Sequence, residues 1–440
     1  MALGGRPLVG LLLYVFTFYF YAPGSWWGND LPDLRWSLLS ALVTLVAIYV
    51  RENKSRNNDP LLSVYPQKPD FFSLTENKLF LSFVIWVWIQ TLWASSPAYH
   101  SEYAFMATKF LLLLFLMHKA LVDEKSVIAF VVVNLLGCGY FGWISFSEHQ
   151  GGRFESVPTP GLNDGNLLGL HMMPILLLGS FLLLCDFSKR KFLLAFPIVL
   201  TLFAILQTQS RGAMVGLIIG ALLAFLFRPH KLRAQIYLYI LLASVAAIRL
   251  VPPDLIDRLS QAAGPEELRD ESADSRIVIV KAQYEMFKQA PIQGYGHRGT
   301  LILSPYYIDD TYLTGKSDSR YRGSHNLLMS LLVDFGLIGA SFYLGIIFVF
   351  IKRLFSIRRS ILQLANGNLS ILYMAGSSAL VALMVSSMFS NSLRLEIDIL
   401  LIGLLSATYC LIRANHQFLD SANHSGGEQN NHLELRSQDG

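Results

Sequence analysis

Three polar clusters stand where apolar runs begin. Gly151-Gly152-Arg153 and the stretch from Thr159 to Asn166 precede one run. Gln207-Thr208-Gln209-Ser210-Arg211-Gly212-Ala213 opens a second, and Arg320-Tyr321-Arg322-Gly323-Ser324-His325-Asn326 opens a third. If each run is a helix, its first turn presents unpaired backbone N–H groups and the positive end of the helix dipole. Phosphate or pyrophosphate is a natural guest there, and each cluster adds an arginine. His325 comes shortly after two arginines. Positive neighbours and a helix start disfavour imidazolium. The neutral ring that results can accept a proton, as a general base must. Plainer readings stand beside these. Asn166 and Ser210 could serve only as N-caps, Arg211 only as an interfacial anchor and His325 only as a loop hydrogen-bonding residue. A lone charge where a helix enters a membrane favours function for Arg211.

A further arginine, Arg276, opens a stretch in which Ile279, Ala282 and Met286 recur at helical spacing up to Gln289. Ala290-Pro291 stops it, and Pro291-Ile292-Gln293-Gly294-Tyr295-Gly296 follows as a tight turn whose glycines permit close backbone approach. No strand precedes this G-x-G, so it is no dinucleotide motif. By composition alone Arg276 reads equally well as a surface residue.

The elements that must position these residues are membrane helices. The chain has 440 residues, 53% hydrophobic and only 15% charged, against roughly 25% charged in a soluble domain; the mean hydropathy is +0.44. Apolar runs of spanning length, ~20 residues, predict twelve spans near 7–24, 35–50, 79–95, 104–119, 126–146, 166–186, 192–209, 212–228, 234–251, 326–351, 369–390 and 396–413. The runs are continuously apolar rather than alternating, which argues against a β-barrel. Lys and Arg crowd alternate connections, such as Arg51 to Lys78, Lys189-Arg190-Lys191, Arg228 to Arg233 and Lys352 to Arg359. By the positive-inside rule both termini are expected in the cytoplasm, with the three polar clusters on the opposite face. Transmembrane helices one to nine would occupy 1–251, a large extracytoplasmic loop with short helices 252–325, helices ten to twelve 326–413, and a polar, disordered tail 414–440.

The net charge of +4 does not indicate nucleic acid. Cys138, Cys185 and Cys410 show neither metal nor disulfide spacing. Glu396 and Asp398 form only a weak E-x-D, so no metal or cofactor site is expected. Lys109, inside the fourth span, could snorkel or pair with a lipid phosphate. A transporter with charges lining a path is the non-enzymatic alternative, but the polar residues gather at span ends rather than mid-membrane and no repeat is visible.

Taken in order, Ser210-Arg211-Gly212-Ala213, Arg276, Pro291–Gly296, His325-Asn326-Leu327-Leu328 and Asp334-Phe335-Gly336-Leu337-Ile338-Gly339 resemble the O-antigen ligase and O-antigen polymerase superfamily. The resemblance covers about 210–340 best, and Arg153 and Asn166 fit it more loosely. It implies an all-α, C-type glycosyltransferase fold in the bacterial inner membrane with the active site facing the periplasm. It implies a glycan donor on undecaprenyl pyrophosphate, a lipid A–core or other glycan acceptor, contact with membrane lipids and no metal. His325 then corresponds to the acceptor-activating base, and Arg211 and Arg276 to the pyrophosphate ligands. Arg153, Asn166 and Arg322 are further candidates for substrate binding, Arg322 without a family-wide role. Asp334 stands where the family usually has Glu and reads as a structural partner. Without a metal, arginines must neutralise the departing pyrophosphate. One large loop before the histidine favours a ligase over a polymerase or a protein O-oligosaccharyltransferase.

Overall fold

Leu168 to Leu182, Leu369 to Leu383 and Ile397 to Ile412 are apolar nearly all round, the pattern of helices enclosed by others. In the computed structural model, which describes residues 5–32, 34–56, 68–148, 151–251, 271–309, 313, 321–363 and 367–415, these stretches form the centre. They are α6 (Gly165–Leu182), α14 (Asn368–Ser386) and α15 (Glu396–Asn415). Around them stand α1 (Pro7–Tyr19), α2 (Trp36–Arg56), α3 (Thr75–Ile89), α4 (Pro97–Ala120), α5 (Glu124–Ser147), α7 (Ala195–Gln207), α8 (Arg211–Leu226), α9 (Arg233–Leu250) and α12 (Leu327–Ser356). The connection before α12 carries α10 (Glu271–Gln289) and α11 (Gly299–Tyr307), and α13 (Arg358–Gln363) links α12 to α14. Among the described residues every regular element is helical.

Among the described residues eight helices are long and apolar enough to cross a membrane, or nine if one bent pair is a single span. The chain is therefore a multi-pass membrane protein of all-helical architecture, but the twelve crossings expected from hydropathy are not all reproduced. α3 spans 15 residues, and α2 runs into the polar segment Arg51–Arg56. The segments Arg211–Leu226 and His230–Leu242 meet at 116°, as a broken span or a re-entrant pair. Residues 252–270 of the expected loop and 416–440 of the expected tail lie outside the described residues.

Small residues set the closest helix contacts. Gly212, Gly216 and Gly220 lie one turn apart on α8. A Cβ on Gly216 would fall 2.0 Å from Ser386 Oγ and 2.7 Å from Met173 Cε; one on Gly220 would fall 2.4 Å from Leu177 Cδ1. This stripe lets α8 sit against α14 and α6, and Ser386 Oγ donates to the Gly212 carbonyl at 2.8 Å. The contact fixes the start of α8, and with it Arg211.

The turn Pro291–Gly296 crosses directly over a break in α12. Gly336 (φ 65°, ψ −175°) interrupts that helix. The main-chain groups at the break are taken up by the turn: Tyr295 N–H donates to Val333 O (3.0 Å), Gly296 N–H to Asp334 O (2.7 Å) and Leu337 N–H to Pro291 O (2.8 Å). Gln90 Nε2 donates to Gln293 O (2.6 Å) and Asp334 O (3.1 Å). The close approach expected of these glycines is thus made to backbone. A Cβ on Gly336 would lie 2.1 Å from the Ile292 carbonyl. Gly336→Ala is expected to lose roughly 1–3 kcal/mol through backbone strain alone, seen as a lower thermal midpoint in detergent. Gly323, with open space around it, supplies the control: equal midpoints for Gly336→Ala and Gly323→Ala would refute the assignment.

α10 shows the face its spacing predicts. Ile279, Ala282 and Met286 are buried in a small core shared with Val333 of α12. The helix begins at Glu271, five residues before the expected start at Arg276.

Candidate functional site

The starts of α6, α8 and α12 come together at one end of the bundle. Ser210 caps α8, accepting from Ala213 N–H at 3.4 Å. α6 is capped by Asp164, not Asn166: its carboxylate accepts from Asn166 N–H (2.7 Å) and Leu167 N–H (3.2 Å). Asn166 sits within the first turn instead, with its amide available to the site. At α12 the cap is Asn326, whose Oδ1 accepts from Met329 N–H at 2.9 Å. Its Nδ2 donates to Met388 O at 3.2 Å, and Leu327 N–H donates to Ser387 O at 2.8 Å. The residue after His325 is therefore clamped to the turn that follows α14.

The segment around Arg153 is tied to the end of α7. Phe154 N–H donates to Gln207 O at 2.9 Å, and Arg153 Nε donates to Thr208 O at 2.8 Å. Gln209 adopts a left-handed conformation (φ 49°) that turns the chain from α7 into α8. These constraints bring Arg153, Asn166, Arg211 and Arg276 onto one cavity of about 60 Å³, together with Gln209, Ser210 and Gly212. That is room for a few waters, on the order of one phosphoryl group. Three guanidinium groups and the starts of two helices face it, and no carboxylate lines it among the described residues.

His325 and Arg322 do not line this cavity. His325 stands beside it, within electrostatic reach of Arg276, Asp164 and Arg322. The crowded setting, then Arg276, hold its imidazole below the usual histidine range; Arg322 adds to this and Asp164 opposes it. The residue as a whole is exposed. Its predecessors Gly323 and Ser324 line a second, much larger cavity of about 760 Å³. His325 thus stands between an arginine-lined niche and a chamber of oligosaccharide scale.

Residues 196–344 match the O-antigen ligase family. Over that segment the chain is similar to the O-antigen ligase superfamily. The matched segment holds Arg211, Arg276, the Pro291–Gly296 turn, His325 and Asp334. Arg153 and Asn166 fall before it, yet share the niche. No curated protein matches the chain.

The larger cavity gathers residues that the sequence marked only weakly or not at all. Asp334 lines the larger cavity, but its carboxylate accepts from Arg298 N–H (3.0 Å) and Thr300 N–H (3.3 Å). It ties the start of α11 to α12. His297 Nδ1 lies 3.7 Å from Asp334 Oδ2, and the ring stacks on Tyr103 at 4.2 Å. Burial, then Arg394 and Arg298, hold His297 well below the usual histidine range. His171 and Glu396 also line the large cavity; Glu396 stood out in the sequence only as half of the weak E-x-D, and His171 only as a polar residue within an apolar run. Among the described residues no three His, Cys, Asp or Glu side chains converge as a metal site.

Proposed function

We infer that the protein transfers a glycan from undecaprenyl pyrophosphate to a sugar of lipid A–core, at the periplasmic face of the bacterial inner membrane. The observation that carries this reading is the niche of three arginines and two helix starts with His325 beside it. The niche suits the pyrophosphate, where bidentate guanidinium contacts and helix dipoles meet the charge that develops on departure. His325 takes the proton of the acceptor hydroxyl. The hydroxyl oxygen bonds to the anomeric carbon as the bond from that carbon to the pyrophosphate oxygen breaks. The proton rests on the imidazole and the new charge on the carrier pyrophosphate, balanced by Arg211 and Arg276 with Arg153 alongside. In this reading the arginines supply the charge neutralisation, without a metal.

The cytoplasmic placement of both termini rests on the alternation of Lys and Arg between connections. The single long connection before α12 favours a lipid A–core acceptor over a growing polymer. The experiment is a transfer assay with purified protein, a lipid-pyrophosphate glycan and lipid A–core. Glycan-bearing lipid A–core is the expected product. Donor glycans joined to one another instead would turn the reading to a polymerase. Movement of donor across vesicles without any transfer would replace the enzyme with a transporter.

A further inference from the structure

The two cavities differ in chemistry as well as size. The niche presents arginines and, among the described residues, no acid. The larger cavity mixes signs and rings: Lys109, Arg394, Glu396, His171, His297 and Tyr14 line it. Several of these polar groups are buried with hydrogen-bonding capacity to spare. His171 is fully buried; its Nε2 meets Tyr19 Oη at 2.9 Å, and its Nδ1 has no partner among the described residues. His297 is 4% exposed, and its Nε2 likewise has none. Glu396 Oε1 accepts from Tyr14 Oη at 3.2 Å, while Oε2 is buried and unpartnered among the described residues. Lys109, midway along an apolar helix, has no carboxylate at ion-pair distance among the described residues.

Buried polar groups are normally satisfied, and leaving one unpaired is costly. Here donors, acceptors and either-way imidazoles surround one space. A pyrophosphate would meet the carboxyl groups of Glu396 and Asp334 as well as the cations, whereas the arginine niche offers it no acid among the described residues. A purely apolar guest would leave the buried imidazoles and carboxylate unpaired. A ligand rich in hydroxyls satisfies an ammonium, a carboxylate and two neutral imidazoles together, and its C–H faces can lie on Tyr14 and Phe18. The volume lies within the ~300–1,000 Å³ of a pocket that encloses a sizeable ligand. Ser324 and Gly323 carry the cavity wall up to His325.

We propose that this cavity is a saccharide subsite that holds the acceptor sugar, with Glu396 and Lys109 as its specificity-determining hydrogen-bonding pair. The assignment rests on the transferase reading for the word acceptor, but not for the binding of saccharide itself. It is tested by saturation-transfer NMR in detergent with core oligosaccharide released from lipid A–core, using the His325→Ala protein so that no chemistry intervenes. In parallel, acceptor and donor KM are measured on the His325-containing protein. Glu396→Gln keeps a partner for Tyr14, and Lys109→Met keeps the chain length at a partly exposed position, so both are expected to fold. Each should weaken oligosaccharide binding and raise acceptor KM by roughly 10–100-fold, as expected for a lost charge-assisted hydrogen bond, with donor KM unchanged. No NMR signal from the oligosaccharide on the unsubstituted cavity overturns the proposal. So does unaltered binding in both variants, or a rise in donor KM in place of acceptor KM. If the protein transfers nothing but the variants still lose oligosaccharide, the transferase reading falls and the subsite stands.

Discussion

His325→Ala is expected to bind the lipid-pyrophosphate donor as before and to transfer its glycan ~10²–10⁴-fold more slowly, the usual worth of general-base assistance. Binding should survive because His325 does not line the arginine niche, and the fold should survive because Asn326, not His325, holds the start of α12. The pH profile provides a second signature. The neutral ring is the active form, so activity is present above the folded pKa of His325 and lost as pH falls through it. Burial, Arg276 and Arg322 place that limb below the ordinary histidine range. Arg322→Gln removes one depressing charge and should move the limb upward without abolishing turnover. A His325→Ala protein that transfers at a near-normal rate, or that fails only because donor no longer binds, would leave His325 a purely structural residue.

Arg211→Lys and Arg276→Lys should each cost roughly 10²–10³ in kcat, as loss of one donor to a developing oxyanion does. The substitution keeps the charge and removes the planar two-pronged fork. Both arginines are half-buried on the niche wall, so the shorter-reaching fork cannot be replaced by a mobile ammonium with the same geometry. Arg276→Lys carries a further mark. Its charge lies close to His325, and because lysine preserves that charge, the acid limb of the pH profile should hold its place while kcat falls. Full turnover in both lysine variants would eliminate bidentate phosphate binding.

The parts of the site that lie at helix ends were legible from local chemistry. Ser210 as a cap, the inward face of α10 and the tight turn at Pro291–Gly296 follow from spacing and residue type, because each is decided within a turn or two of chain. The resemblance of 210–340 to a known superfamily singled out Arg276, which composition alone left as a surface residue. What escaped was set by distant chain. The Tyr14–Glu396 hydrogen bond joins residues 382 positions apart, and nothing near Tyr14 in sequence marks it as a cavity wall. Asp164 took the capping role that Asn166 could have filled; both are good caps, and two residues of register decided between them. Hydropathy counted α2, α3, α8 and α9 as crossings, but it weighs apolar content and cannot register the 116° bend after α8 or the short length of α3.

The break at Gly336 divides α12 into unequal arms with different mechanical duties. The short arm, from Leu327 to Phe335, is pinned by the turn 291–296 and by Gln90, and at its tip by Asn326 and Ser387. The long arm continues through the apolar stretch to Ser356. Membrane helices answer a change in bilayer thickness mainly by tilting. A continuous helix would carry that tilt to its end and swing His325 against the arginines. With a break fixed by neighbouring backbone, the long arm can lean while the short arm keeps its station. Turnover in nanodiscs of differing acyl length should accordingly vary little, which would let one catalytic geometry persist as the lipid composition of the membrane shifts.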